Sequence, residues 1–245
     1  MLIDQPENQY PFGNRPEYIS RKIKTVISKV LYLLDTSKNI RRALLMKPST
    51  ILLSFVLFLS ANTIYAKTYL CLGDSLTEGY GLKTEEAWPA LIQTTLKAKD
   101  PSVKFINAGI SGATSASGPS RMKWHLKNLK KEPVHVLILA LGANDALRGL
   151  NVEAMRANLT STIELALSSK LDVILVGMRA PPSLGSEYAK KFDAVFPLIA
   201  KEKKVPLVPF LLEGVAADPK LNLADGIHPN AAGHQILAKT IGKYL

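Results

Sequence analysis

Beyond residue 66 the chain alternates between short runs that are apolar throughout and longer segments whose apolar residues recur three and four apart. "KTYLCLG", "VKFINAG", "VHVLILALG", "LDVILVGM" and "VPLVPF" are runs of the first kind, and they predict five strands. "EEAWPALIQTTLKA", "GPSRMKWHLKNLKK", "VEAMRANLTSTIELALSS" and "SEYAKKFDAVFPLIAKE" lie between them and predict helices, with a last helix from about Asn230 to Tyr244. Strands separated by amphipathic helices pair in parallel, with helices on both faces. "VLILAL" and "VILVG" have no polar alternation, as strands covered on both faces require. The expected architecture is α/β: a three-layer α/β/α, doubly wound, five-stranded parallel sheet in one domain over residues 67–245. No internal repeat, linker or low-complexity stretch interrupts it.

The first 66 residues follow another pattern. From Pro48 to Ala66 no residue is charged, and the apolar core "ILLSFVLFL" follows Met46 and Lys47. A short basic start, an apolar middle and a small residue at the end describe a secretory signal over residues 46–66, with cleavage after Ala66. The competing reading keeps residues 50–66 as an uncleaved anchor, since about 17 residues is the lower limit for a bilayer span. In residues 1–45, Ile19, Ile23, Val26, Ile27, Val30, Leu31 and Leu34 form a helical stripe beside Arg21, Lys22, Lys24 and Lys29. This basic extension reads either as a helix that associates with an anionic membrane surface, or, with Met46 as the true start, as an over-extended reading frame or an unrelated leader.

Charge and composition narrow the chemistry. The net charge of +11 is spread along the chain rather than gathered into a binding module, so no nucleic-acid partner is expected. The four histidines are not clustered, and neither His-Glu-x-x-His nor paired Cys-x-x-Cys occurs, so no metal is expected. Cys71, the single cysteine, forms no internal disulfide and leaves the redox compartment open.

Open parallel sheets bind ligands beyond the carboxyl ends of their strands. Those ends carry "LGDSLTEGYG" (72–81), "NAGISGATSASG" (107–118), "LGANDALRG" (141–149) and "DGIHPNAAGH" (225–234). None is a Walker loop, because Gly79 is followed by Tyr80 rather than Lys, and the dinucleotide fingerprint is also missing. No Gly-x-Ser-x-Gly elbow occurs either. There remains Ser75 on a strand-to-helix turn, with Asp225 and His228 much later. That order suits a nucleophile, an orienting carboxylate and a base. On these residues alone Ser75 fits a helix cap equally well.

The set "GDSL", "NAGISG", "LGAND" and "DGIHP" resembles the four sequence blocks of the SGNH, or GDSL, hydrolase family, over essentially all of residues 67–245. "AWPALIQ", "GMRAPP", "VPLVPFLLEGV" and "DGIHPNAAGH" are similar to its bacterial periplasmic branch of arylesterases, acyl-CoA thioesterases and lysophospholipases. The resemblance implies the flavodoxin-like SGNH hydrolase fold, export to the periplasm, and no cofactor. It implies that Ser75 is the nucleophile and that Asp225 and His228 complete a triad. The backbone N–H groups of Ser75 and Gly112 and the side-chain amide of Asn144 form the implied oxyanion hole. The chemistry agrees: an imidazole takes and returns the serine proton, a carboxylate fixes its tautomer, and uncharged donors meet a developing oxyanion.

The implied reaction is acyl transfer to water from a small acyl ester, a thioester or a lysophospholipid. "GISGATSASG", "GMRAPPSLG" and "FLLEGVAADPKLNLA" are the candidate acyl-pocket segments. A carbohydrate O-deacetylase is the rival enzyme, and a catalytically silent membrane-associated lipid-binding module the rival from another class. Asp74 and Asp145 read as turn or cap residues, and Arg148 as ordering the loop around Asn144. His135 reads as a core residue of the third strand, and His125 and His234 as surface or structural residues of helices. Glu78, where relatives carry a small residue, is expected to face solvent and has no assigned role.

Overall fold

The computed structural model describes residues 67–129 and 133–245; the expectations for residues 1–66 lie outside the described residues. Strand β1 (Thr68–Gly73) is buried from end to end and is followed by a one-turn helix, α1 (Ser75–Glu78). Helix α2 (Trp88–Lys97), β2 (Lys104–Gly109), α3 (Gly118–Lys127) and β3 (Val136–Ala140) come next. Then follow α4 (Ala143–Leu147), α5 (Val152–Ser168), β4 (Asp172–Val176), α6 (Ser186–Lys203), β5 (Leu207–Val208) and α7 (Ala231–Gly242).

All strands pair in parallel in the order β2-β1-β3-β4-β5. Right-handed crossovers that leave β1 for β2 and then return to β3 put the intervening helices on opposite faces. Accordingly α2 packs with α7, while α3 packs with α5 and α5 with α6. Leu70, Leu72, Leu137, Ile138 and Leu139 fill the covered centre. This is the expected α/β architecture, and its strand order reverses direction at β1. Gly73 lies opposite both Gly109 and Ala140, so three strands end level with one another. The segments that leave β1, β2 and β3 therefore start from one rim.

Three elements differ from the sequence expectation. "VPLVPF" contributes only two strand residues, because Pro206 and Pro209 flank them and have no N–H to give a ladder. The first helix is divided: Thr84–Glu86 form a 3₁₀ turn, Ala87 is extended, and α2 begins at Trp88 with Pro89 in its first turn, where no donor is needed. His135 stands half-buried just before β3, and its Nδ1 accepts the Thr68 N–H at 3.1 Å. Its ring supplies a hydrogen bond at the start of β1 instead of packing in the core. Among the described residues no helix is long and apolar enough to cross a membrane.

Candidate active site

The turn after β1 decides what Ser75 does locally. Asp74 is extended (φ −110°), and its Oδ1 accepts from Leu76 N–H at 3.0 Å. Its carbonyl accepts from Thr77 N–H at 3.1 Å and Glu78 N–H at 2.9 Å. Asp74 is therefore the cap of α1, and Ser75 is the first residue inside it. Among the N–H groups of Ser75, Leu76, Thr77 and Glu78, only that of Ser75 has no acceptor among the described residues. Gly79, at φ +86°, ends the helix after one turn, which keeps the serine at the rim. Asp74 is 1% exposed, and its Oδ2 has no partner among the described residues. Burial pushes its carboxyl up to about 6, against the opposing pull of the Leu76 N–H and the His228 and Arg121 charges. Arg121 ties the neighbouring strand ends together by donating to the carbonyls of Gly73 (3.0 Å) and Ala108.

Asp225 and His228 meet this turn from the loop before α7. His228 Nε2 lies 3.0 Å from Ser75 Oγ, and His228 Nδ1 lies 2.7 Å from Asp225 Oδ2. The other carboxylate oxygen accepts from the backbone N–H groups of Ile227 and His228, each at 3.0 Å. The three-residue spacing thus folds the aspartate under its own histidine in an Asx turn. The His228 backbone N–H and ring, then the Ile227 N–H, hold the Asp225 carboxyl at about 2, well below the usual carboxylate range. Asn222 braces the loop from below, donating to the carbonyls of Val215 (2.7 Å) and Asp218 (2.8 Å).

Gly112 and Asn144 reach the same place from β2 and β3. Gly112 occupies the left-handed region at φ +75°, and its N–H has no acceptor among the described residues. Asn144, on α4, donates from Nδ2 to Ala113 O at 3.1 Å, which uses one of its two amide hydrogens. Arg148 donates to Gly112 O at 3.0 Å, so it orders the Gly112 loop as well as following Asn144 in sequence. Asp145 is no cap. It is buried, and its carboxylate accepts from Ser115 N–H (2.8 Å) and Oγ–H (2.6 Å), fixing the far end of the Gly112 loop.

All five sequence-predicted residues are brought together except that Asp225 stands one step back, behind His228. Ser75, Gly112, Asn144 and His228 line a cleft of about 670 Å³ whose wall is mostly apolar, with Leu76, Met178, Pro181, Phe210 and Leu212 among its residues. The turn after β4 and the segment after β5, two of the expected pocket segments, supply much of that wall. Two contacts that the sequence left unassigned also lie at this rim. Tyr80, half exposed, lies against the His228 ring with centroids 4.4 Å apart. Glu78 accepts a hydrogen bond from Ser111 Oγ, beside Gly112. Neither pairing leaves a periodic or spacing signal. His234 is buried, and its Nδ1 accepts the Trp88 N–H at 3.1 Å, joining α7 to the start of α2. Burial lowers its imidazole to about 4, so it stands neutral as an acceptor. His125 is half-buried on α3, against Trp124.

Comparison with known proteins shows the family. Residues 71–236 match the model of the GDSL-like Lipase/Acylhydrolase family. An arylesterase of Vibrio mimicus is 35% identical over 196 residues, covering 79% of this chain and 96% of its own. The thioesterase 1/protease 1/lysophospholipase L1 of Escherichia coli K12 is 36% identical over 191 residues, covering 78% and 89%. The crystal structure of TesA superposes with a TM-score of 0.67 at 36% identity, covering 71% of this chain and 96% of that one. With a family match across most of its length and relatives aligned almost end to end, the chain belongs to the GDSL-like lipase/acylhydrolase, or SGNH hydrolase, family.

Proposed function

We propose that the chain is a carboxylic ester hydrolase in which Ser75, His228 and Asp225 act as a triad and the Ser75 N–H, Gly112 N–H and Asn144 amide receive the oxyanion. The observation that carries this reading is the 3.0 Å approach of His228 Nε2 to Ser75 Oγ at the wall of an apolar cleft. His228 takes the Ser75 proton as Oγ attacks the acyl carbonyl, and Asp225, ionised at neutral pH, keeps the other ring proton on Nδ1. The tetrahedral oxyanion meets three donors that carry no formal charge and need no rearrangement. His228 then returns the proton to the leaving alcohol or thiol. Water, deprotonated by the same ring, attacks the acyl-Ser75 ester and releases the acid.

Aryl esters, acyl thioesters and lysophospholipids are the proposed substrate classes, with the acyl chain along Met178, Pro181, Phe210 and Leu212. This apolar wall favours an acyl chain over a sugar ring and so disfavours carbohydrate deacetylation. A silent lipid-binding module has no use for an imidazole within 3.0 Å of a serine hydroxyl. The same reading takes residues 46–66 as an export signal and residues 67–245 as the mature periplasmic enzyme. An amino terminus at Lys67 in natively produced protein is the expected mass-spectrometric result; retention of residues 50–66 identifies the anchor instead. For the chemistry, Ser75→Ala abolishes turnover of p-nitrophenyl esters with the fold intact. Undiminished turnover in that variant overturns the triad.

A further inference from the structure

Residues Ile110 to Ala113 form a β-turn closed by Ala113 N–H to Ile110 O at 3.0 Å. Gly112, its third residue, has φ +75°, whereas Ser111 is not in the positive-φ region; this combination is a type II turn. Types I and II differ chiefly in the orientation of the central peptide, here the Ser111–Gly112 bond that carries the Gly112 N–H. A flip of that one peptide, which glycine tolerates in either sense, turns the donor away from the cleft. The turn is exposed, with Ile110 53% accessible, so core packing does not choose between the two forms.

Two side chains hold the groups that flank this peptide, the carbonyl that follows it and the side chain that precedes it. Arg148 fixes the Gly112 carbonyl at 3.0 Å, and the Glu78 carboxylate accepts from Ser111 Oγ. The backbone of Glu78 is itself fixed, because Asn107 Nδ2 donates to its carbonyl at 3.3 Å and the missing Cβ of Gly109 leaves room for the end of α1. We infer that Glu78 is a positioning residue of the oxyanion hole: through Ser111, and together with Arg148, it locks the Ile110–Ala113 turn in the form that presents the Gly112 N–H to the acyl carbonyl. This inference rests on the assignment of Gly112 as an oxyanion donor. It gives Glu78 a role opposite to the one that charge alone dictates, since a carboxylate near a developing oxyanion slows the reaction.

That opposition makes the test decisive. Steady-state kinetics on a p-nitrophenyl ester are compared for wild type, Glu78→Ala, Glu78→Gln, Ser111→Ala and the Glu78→Ala/Ser111→Ala double variant. A latch predicts that each alanine variant loses about five- to tenfold in kcat with KM changed less than about twofold. The double variant then loses no more than the worse single one, and Glu78→Gln, which still offers a carbonyl oxygen to Ser111, recovers most of the loss. Unchanged kcat in Glu78→Ala, additive losses, or a rise in kcat in both the Ala and Gln variants overturns the latch. Ser75→Ala assayed alongside separates the two levels: activity persisting there overturns the triad itself, whereas an inactive Ser75→Ala with wild-type kcat in Glu78→Ala overturns the latch alone.

Discussion

Ser75 and His228 approach to 3.0 Å, yet they stand on opposite kinds of support. From Leu72 to Thr77 every residue of the Ser75 turn is buried, and its cap, Asp74, is buried with one oxygen that has no partner among the described residues. From Ala224 to Ile227 every residue of the His228 loop is exposed, and the loop holds itself by the Asx turn of Asp225, Leu223 N–H to His228 O at 2.7 Å, and Asn222 beneath. The nucleophile is therefore placed by the same packing that stabilises the domain. The base is placed by local hydrogen bonds that contribute little to the core. Substitutions of the residues that support Ser75 should register in stability, and those of the residues that support His228 in rate.

Asp225→Asn is the sharpest way to break that contrast. It removes the acceptor that fixes the His228 tautomer, so kcat should fall about 10³- to 10⁴-fold. Because the carboxylate faces water, Tm should move by less than about 2 °C. A large drop in Tm with modest loss of rate, read by calorimetry beside steady-state assays, would show the loop to be part of the core. Next in size is Asn144→Ala, for which removal of one oxyanion donor predicts a kcat loss of about 10²–10³. A loss below about tenfold would remove Asn144 from the principal donors.

The serine side is tested through pH. Asp74 is raised to about 6 in the fold, so the stability it contributes is present below its unfolded value near 3.8 and is lost as pH rises towards 6. His234 is lowered to about 4, so its contribution is present above its unfolded value near 6.5 and is lost as pH falls towards 4. Each is on the order of 3 kcal/mol, and between pH 4 and 6 they oppose each other. Asp74→Asn keeps the cap oxygen but removes the first dependence. Urea unfolding of that variant should show stability rising steeply from pH 4 to 6.5, where wild type is nearly flat. Equal slopes in the two proteins would mean that Asp74 is not coupled to folding. The smallest effect expected is from Tyr80→Ala, which removes a ring pair worth about 0.5–1.5 kcal/mol and so lowers kcat/KM roughly two- to tenfold, with Tyr80→Phe close to wild type.

The same contrast explains what was legible in the sequence. β1 and β3, covered on both faces, announced themselves as unbroken apolar runs, and their alternation with helices gave parallel pairing with helices on both faces, though not the strand order. Ser75, Gly112, Asn144, Asp225 and His228 were visible because strand ends concentrate chemistry and because their motifs resemble known blocks. The cap question at Ser75 was not soluble from residue types, since serine and aspartate both cap helices; it took the Asp74 Oδ1 bond to Leu76 to separate them. Glu78 with Ser111, Tyr80 with His228, and His234 with Trp88 join residues far apart in the chain through side chains. Local periodicity has no means of encoding such pairs. β5 shrank because two prolines withhold the donors that its apolar run seemed to offer.

The most direct measurement is covalent trapping of the nucleophile. Wild-type protein is incubated with a p-nitrophenyl phosphonate ester, which transfers its phosphonyl group to an activated serine, and the adduct is located by peptide mass spectrometry. One adduct is expected, on Ser75, formed with stoichiometric release of p-nitrophenol, absent from Ser75→Ala and greatly slowed in His228→Ala. An adduct on another residue, or labelling of Ser75 at an unchanged rate in His228→Ala, would contradict the triad.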